Sequence, residues 1–288
     1  MKKLIAIMLV LVLGLGLIAC GNASTADTQP TTQGSNVKPS PTPEADDPTA
    51  TTEAAASDLA EIQAEGVLVV GITEYEPMDY KDENGEWTGF DAELARMFAE
   101  ELGVECEFFV LADWGKKFIE LETNNIDCVW NGMTITEEAL SNASVSDPYV
   151  INAQVVVMKG KRVGEFTTVD SMKKLTFAVE NGSAGQSAAD EAGFNSIAVA
   201  DQATALMEVA AGTSDACIID ITMAKAMTGE GTDYSNLAVG ISLNEEEYGV
   251  AFREGSDITA KFNEFLAAKK ADGTLAELAE KYQLTLAD

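Results

Sequence analysis

The chain has 288 residues, with 48 acidic side chains against 18 basic ones, no histidine and a formal net charge of −30. So acidic a chain excludes electrostatic binding to nucleic acid or to anionic lipid. Without histidine it lacks the commonest general base and the commonest metal ligand, so no metal and no other cofactor is expected.

Lys2 and Lys3 precede an uncharged apolar run over residues 4–18. At about fifteen residues the run falls short of the ~20 needed to span a bilayer and suits the apolar region of a signal peptide. It ends in Leu17-Ile18-Ala19-Cys20, which resembles the bacterial lipoprotein cleavage box. That resemblance implies a signal peptide over 1–19, cleavage before Cys20 and lipidation of its thiol, which anchors the protein to the outer side of the cell membrane. An uncleaved helical anchor is the alternative.

Residues 20–57 are rich in Pro, Thr, Ser and Ala and contain no aromatic side chain. A segment of this kind cannot bury enough surface to offset its ordering entropy, and its prolines keep it extended. It is predicted to be a disordered tether that holds a globular part away from the membrane.

From residue 58 onward, apolar strand-like runs alternate with amphipathic helical ones. A buried strand is predicted over 67–72, a helix over 91–102 stopped by Gly103, and a strand over 104–110. A helix over 113–124 and a strand over 126–130 follow. This βαβαβ order implies a parallel sheet with right-handed crossovers. The pattern restarts with strands over 154–158, 175–179, 196–199 and 215–219, with helices from about Gly185 and Asp201 between them. A last strand over 248–252 precedes helices over 256–271 and 274–283, divided at Asp272-Gly273. Cys106, Cys128 and Cys217 lie in apolar runs without metal-ligand spacing and are expected to be buried free thiols.

Gly89-Phe90-Asp91-Ala92-Glu93-Leu94-Ala95 resembles the GFDxDLA stretch of family 3 solute-binding proteins, the polar amino-acid binders of ABC importers. Ile126-Asp127, Gly132-Met133-Thr134-Ile135-Thr136, Ser146-Asp147-Pro148-Tyr149 and Asp215-Ala216 with Asp220 continue the resemblance. Tyr248-Gly249-Val250-Ala251 and Asp272-Gly273-Thr274-Leu275 complete it in register across 66–283. The resemblance implies an α/β, two-lobed periplasmic-binding-protein-like fold of type II. Lobe 1 is expected over 58–153 plus 247–288 and lobe 2 over 154–246, joined by a hinge of two chain crossings. Ligand is expected in the cleft, at the carboxyl ends of the strands, and the hinged pair is expected to close on it. The family strand order separates Cys106 from Cys128. The implied partners are a small molecule (an amino acid or a cationic amine) and an ABC permease, with the protein a monomer.

Site residues follow from the same resemblance. The family's carboxylate-clamping arginine falls at Ala139, so that clamp is missing. The Gly182-Ser183-Ala184-Gly185 turn matches the family's second carboxylate-holding loop, although its usual threonine is Ala184; Ser183 and Gly185 are candidates there, for an anion or simply for helix capping. Asp220 falls where the family places the acid that holds the ligand's amino group, and an N-cap role can coexist. Glu74, Tyr75, Trp114 and Trp130 lie near strand ends and are expected to converge as an aromatic and acidic box for a cation. Asn131, Gly132 and Thr134 complete the expected lining, with Asn131 or backbone N–H groups as substitutes for the arginine. Two rivals stand beside the importer reading: a sensor module with the same site, and a dehydratase-like enzyme on the same fold. The missing arginine and histidine weigh against the enzyme.

Cys20→Ala is expected to release the protein from membranes into the medium. Fractionation that finds the variant still in the membrane pellet would assign the anchoring to something other than the thiol.

Overall fold

The computed structural model describes residues 57–288. The signal peptide, Cys20 and all of the tether except Ser57 lie outside the described residues. Within them the chain builds two five-stranded sheets, each the floor of one lobe.

In the first sheet Val67–Ile72 lies between Glu105–Val110 and Cys128–Val129, with all three strands parallel. Ala251–Phe252 then runs antiparallel between Cys128–Val129 and Ser144–Val145. The helix Phe90–Leu102 covers this sheet because Leu94, Phe98 and Leu102 recur on one face and are buried. Gly103 ends it in the left-handed region at φ 76°, where a side chain would be strained, and returns its N–H to Ala99 and Glu100 carbonyls. The chain's last helices, Ile258–Asp272 and Thr274–Tyr282, pack back on this lobe.

The second sheet has the order Asn195–Val199, Thr176–Glu180, Ala216–Asp220, Gln154–Lys159, Leu237–Ser242. The first three strands are parallel, and Gln154–Lys159 is antiparallel to both of its neighbours. Between the two sheets, Val150–Asn152 pairs antiparallel with Glu246–Tyr248, so the outgoing and returning chains cross side by side.

Several elements depart from the sequence reading, the edge strand Leu237–Ser242, which it did not contain, among them. The helix expected over 113–124 is a short 3-10 turn, Trp114–Lys116, followed by Lys117–Glu122, with Gly115 inside the turn. The strand expected over 248–252 divides at Gly249: Glu246–Tyr248 belongs to the crossing pair and Ala251–Phe252 to the first sheet. Cys106 is only half-buried, on an outer strand of the first sheet, while Cys128 and Cys217 are buried; all three are free. Cys106 and Cys128 flank Val67–Ile72 on its two sides, as the family strand order implies.

An aromatic cluster fixes the first lobe. Phe262 is fully buried, and its ring centroid lies 4.8 Å from that of Trp130, 5.1 Å from Phe98 and 5.4 Å from Phe252. These rings join the last part of the chain to the first sheet, so truncation opens a cavity at the junction. Phe262→Ala is expected to cost about 3–5 kcal/mol in urea unfolding. A loss below about 1 kcal/mol would mean the junction can collapse around the void.

Candidate functional site

A cavity of about 310 Å³ opens between the lobes, at the carboxyl ends of the parallel strands. The strand ends supply its charge. Glu180 and Asp220 are the last residues of neighbouring strands in the second sheet, and both are buried. Thr73 follows Val67–Ile72, the middle of the three parallel strands of the first sheet, and lies on the opposite wall.

Asp220 is held by amides. Its Oδ1 accepts from Asn152 Nδ2 and, at 2.7 Å, from Gln154 Nε2, and its Oδ2 accepts from Gln202 Nε2. Its backbone N–H donates to Gln202 Oε1 at 2.9 Å, and its side chain makes no capping bond to the following helix. Burial, reinforced by the charge of Glu246, pushes its pKa up to about 7 against the opposing hydrogen bonds of Gln202, Asn152 and Tyr248. Glu246 Oε1 accepts from the same Asn152 and Gln154 amides, and from Thr134 Oγ1 at 2.8 Å. Glu180 is pushed well above the carboxylate range, first by burial and then by Asp220 and Asp201.

Tyr75, Trp114, Asn131, Gly132, Thr134, Ser183 and Asp220 all line the cavity. Three other candidates do not. Glu74 is exposed and is not part of the lining. Trp130 is fully buried behind the wall, where its ring joins Phe98 and Phe262 in the core. A strand-end aromatic has two faces open to it, and here the core side claims it. Gly185 lies in the first turn of Ala184–Ala192, packed so closely that a Cβ would stand 2.8 Å from Ile218 O and 3.0 Å from Gln154 Oε1. It lets the helix start approach the strand and is not part of the lining.

Asn131 lines the cavity but has both amide hydrogens engaged. Its Nδ2 donates to Thr73 O at 3.0 Å and to Asp79 Oδ2 at 2.7 Å, and its Oδ1 accepts from Thr73 N and Oγ1. It therefore has no donor left to replace an arginine. The Gly132 N–H donates to the buried Asp91 at 2.6 Å. Ser183 caps its helix, with Oγ accepting from Gln186 N.

Of the lining residues outside the sequence candidates, two are charged and buried. Glu180 was legible as a strand-terminal acid beside Asp220. Lys117 is the other: its side chain is buried at 5 % exposure and lines the cavity. Its Nζ donates to Gly182 O at 3.1 Å and lies 4.9 Å from the Trp114 ring.

The lobes touch at the mouth. Asn181 Nδ2 of the second lobe donates to Asp113 Oδ1 of the first at 2.9 Å, and Tyr75 Oη lies 2.5 Å from Thr222 Oγ1. Gly182 sits at φ 69°, and a Cβ there would stand 2.5 Å from Gly115 Cα.

Two sheets with an enclosed polar cavity at their strand ends define a two-lobed binding protein of the type II periplasmic fold. The sequence matches the profile of bacterial extracellular solute-binding proteins, family 3, over residues 68–285, and the chain belongs to that family. The L-cystine-binding protein TcyJ of Escherichia coli K12 is 30 % identical over 230 residues, covering 78 % of this chain and 85 % of that protein. Among solved structures, the ancestral amino acid-binding protein AncCDT-1, a precursor of cyclohexadienyl dehydratase, is 32 % identical with a TM-score of 0.72. It covers 78 % of this chain and 99 % of its own. A mutant of ArgBP from T. maritima is 30 % identical with a TM-score of 0.73, covering 78 % and 98 %.

Because the obstacle at Gly182 is backbone, Gly182→Ala is expected to keep the lips apart under conditions where the wild type closes. Solution scattering should then give the variant the larger radius of gyration; equal compaction would mean the lobes meet without this contact.

Proposed function

We propose that this protein is the extracytoplasmic, lipid-anchored substrate-binding component of an ABC importer. It captures an amino acid or a related small cationic amine between its lobes and performs no chemistry on it. The observation that carries this reading is Asp220: a carboxylate on the cavity wall whose oxygens are held by amides and which has no ion-pair partner among the described residues. An ammonium group supplies the missing charge, since a buried carboxylate is costly until it is paired. Glu180 on the same wall has a buried Oε1 with no hydrogen-bond partner, a second acceptor for a ligand donor. The binding activities named for the relatives agree with this class of ligand. The crossing strands Val150–Asn152 and Glu246–Tyr248 suit a hinge, and Asn152 and Glu246 are both bonded into the Asp220 cluster, so ligand charge acts directly on the crossing.

Asp220 gives the proposal its pH dependence. With its carboxyl titrating at about 7 in the free protein, the ionised form that a cation needs is scarce below that value and prevails above it. Affinity for a cationic ligand should rise by up to about tenfold per pH unit below 7 and level off above it. Calorimetry near pH 6.5 should show proton release as a buffer-dependent enthalpy. Asp220→Asn should flatten the profile and remove a charge-assisted hydrogen bond, about 1.5–3 kcal/mol or one to two decades in Kd. Wild-type affinity in Asp220→Asn would remove the basis for the amine assignment.

A further inference from the structure

Lys117 is the cation that the cavity was expected to lack. It is the first residue of Lys117–Glu122, and its buried side chain lines the interlobe cavity. Among the described residues it has no ion-pair partner. An ammonium has three donors. One is directed at Gly182 O at 3.1 Å and a second, weakly, at Trp114 O at 3.5 Å. A third has no hydrogen-bond partner among the described residues, and the ammonium lies 4.9 Å from the Trp114 ring and 4.8 Å from the Phe118 ring. Glu138 and Glu180 draw on it only at a distance, and burial lowers its pKa first of all.

On the first-lobe wall, the other groups that could meet an anion are engaged or absent. Asn131 has given both of its amide hydrogens to Thr73 and Asp79, and the Gly132 N–H is bonded to Asp91. Ala139 is a buried methyl group.

We infer that Lys117 is the specificity-determining residue for an anionic group on the ligand, so that the site takes a zwitterion with its ammonium at Asp220 and its carboxylate at Lys117. This rests on the binding reading above and narrows its ligand class. Beside Asp220, the buried Glu180 leaves its Oε1 without a hydrogen-bond partner, an acceptor for a second cationic group on the ligand. The zwitterion therefore carries net positive charge, as a basic amino acid does. A decarboxylated amine leaves Lys117 buried with no counter-charge, and a buried unpaired ammonium is penalised.

The test uses matched probes on the intact protein: L-arginine with agmatine, L-lysine with cadaverine and L-ornithine with putrescine, each by calorimetry. Wild type should bind at least one amino acid tenfold or more tightly than its amine. Lys117→Met should erase that ratio by weakening the amino acid alone, and Lys117→Arg, which keeps the charge, should retain most of it. Equal loss for both members of a pair would make Lys117 a lip contact to Gly182 and nothing more, and would overturn the inference. So would amines that bind wild type as tightly as the amino acids do. That last outcome leaves the amine-binding proposal standing; wild type that binds none of the six but does bind another amino acid overturns the inference alone, and wild type that binds no amino acid or amine at all defeats both. Thermal unfolding of the ligand-free variants shows whether each is folded before its ratio is read.

Discussion

Asp220 is the last residue of a strand at the heart of the second sheet, enclosed on all sides, with both oxygens held by neutral amides and with acids as its charged neighbours. Moving an ion into such surroundings carries a penalty of several kcal/mol even after relaxation. Three elements supply the compensating donors. Asn152 comes from the crossing strand, Gln154 from the start of the adjacent strand and Gln202 from the first turn of a helix. Glu246, on the returning strand, draws on two of the same amides and on Thr134 from the first lobe. One network of shared amides therefore joins the second sheet, both chain crossings and the first lobe. Its unmet requirement is positive charge, and that requirement faces the cavity.

The first lobe repeats the device beneath its own wall. Asp79 and Asp91 are fully buried, and between them they hold the segment that lines the cavity: Asp79 accepts from Asn131, Asp91 from the Gly132 N–H and from Tyr149 Oη. Burial raises both carboxyls, Asp91 to about 7, and Asp91 raises Asp79 further. A carboxyl whose folded pKa lies above its unfolded value of about 4 takes up a proton on folding. Its contribution to stability is complete below pH ~4 and is lost as pH rises through the folded pKa. The lining at Asn131 and Gly132 is thus positioned by groups that would relax if the lobe opened to water.

The order of elements was readable because each leaves a local mark. Val67–Ile72 is apolar in a block, Phe90–Leu102 shows helical periodicity with a glycine stop, and the strand-terminal position of Asp220 follows from where the strand must end. The misses come from choices that only packing makes. Trp130 stands at a strand end whichever way its ring turns, and Phe98 and Phe262, one of them more than a hundred residues away in sequence, decide that it turns inward. Asn131 reads as a free polar group until Thr73 and Asp79 take its hydrogens. Tyr248 and Phe252 look like one strand because both are apolar and near each other, yet Gly249 and Val250 carry the chain from the crossing pair into the first sheet.

Lys117 was missed for a reason that bears on its role. A lysine near the start of a short amphipathic helix reads as a solvated side chain, and by local rules it is also misplaced. The amino end of a helix carries partial positive charge, so a cation there loses a few tenths of a kcal/mol to about 1 kcal/mol instead of gaining it. Burial adds a second penalty of the same sign. Neither is relieved by an acidic partner within ion-pair distance among the described residues. What the position provides is reach: one turn from Trp114, across from Gly182, on the wall opposite Asp220. Departures from local preference without local compensation concentrate at functional sites. In this cleft the charge that the family resemblance expects at residue 139 is found instead on the helix that begins at 117, reaching the same cavity from another element of the first lobe.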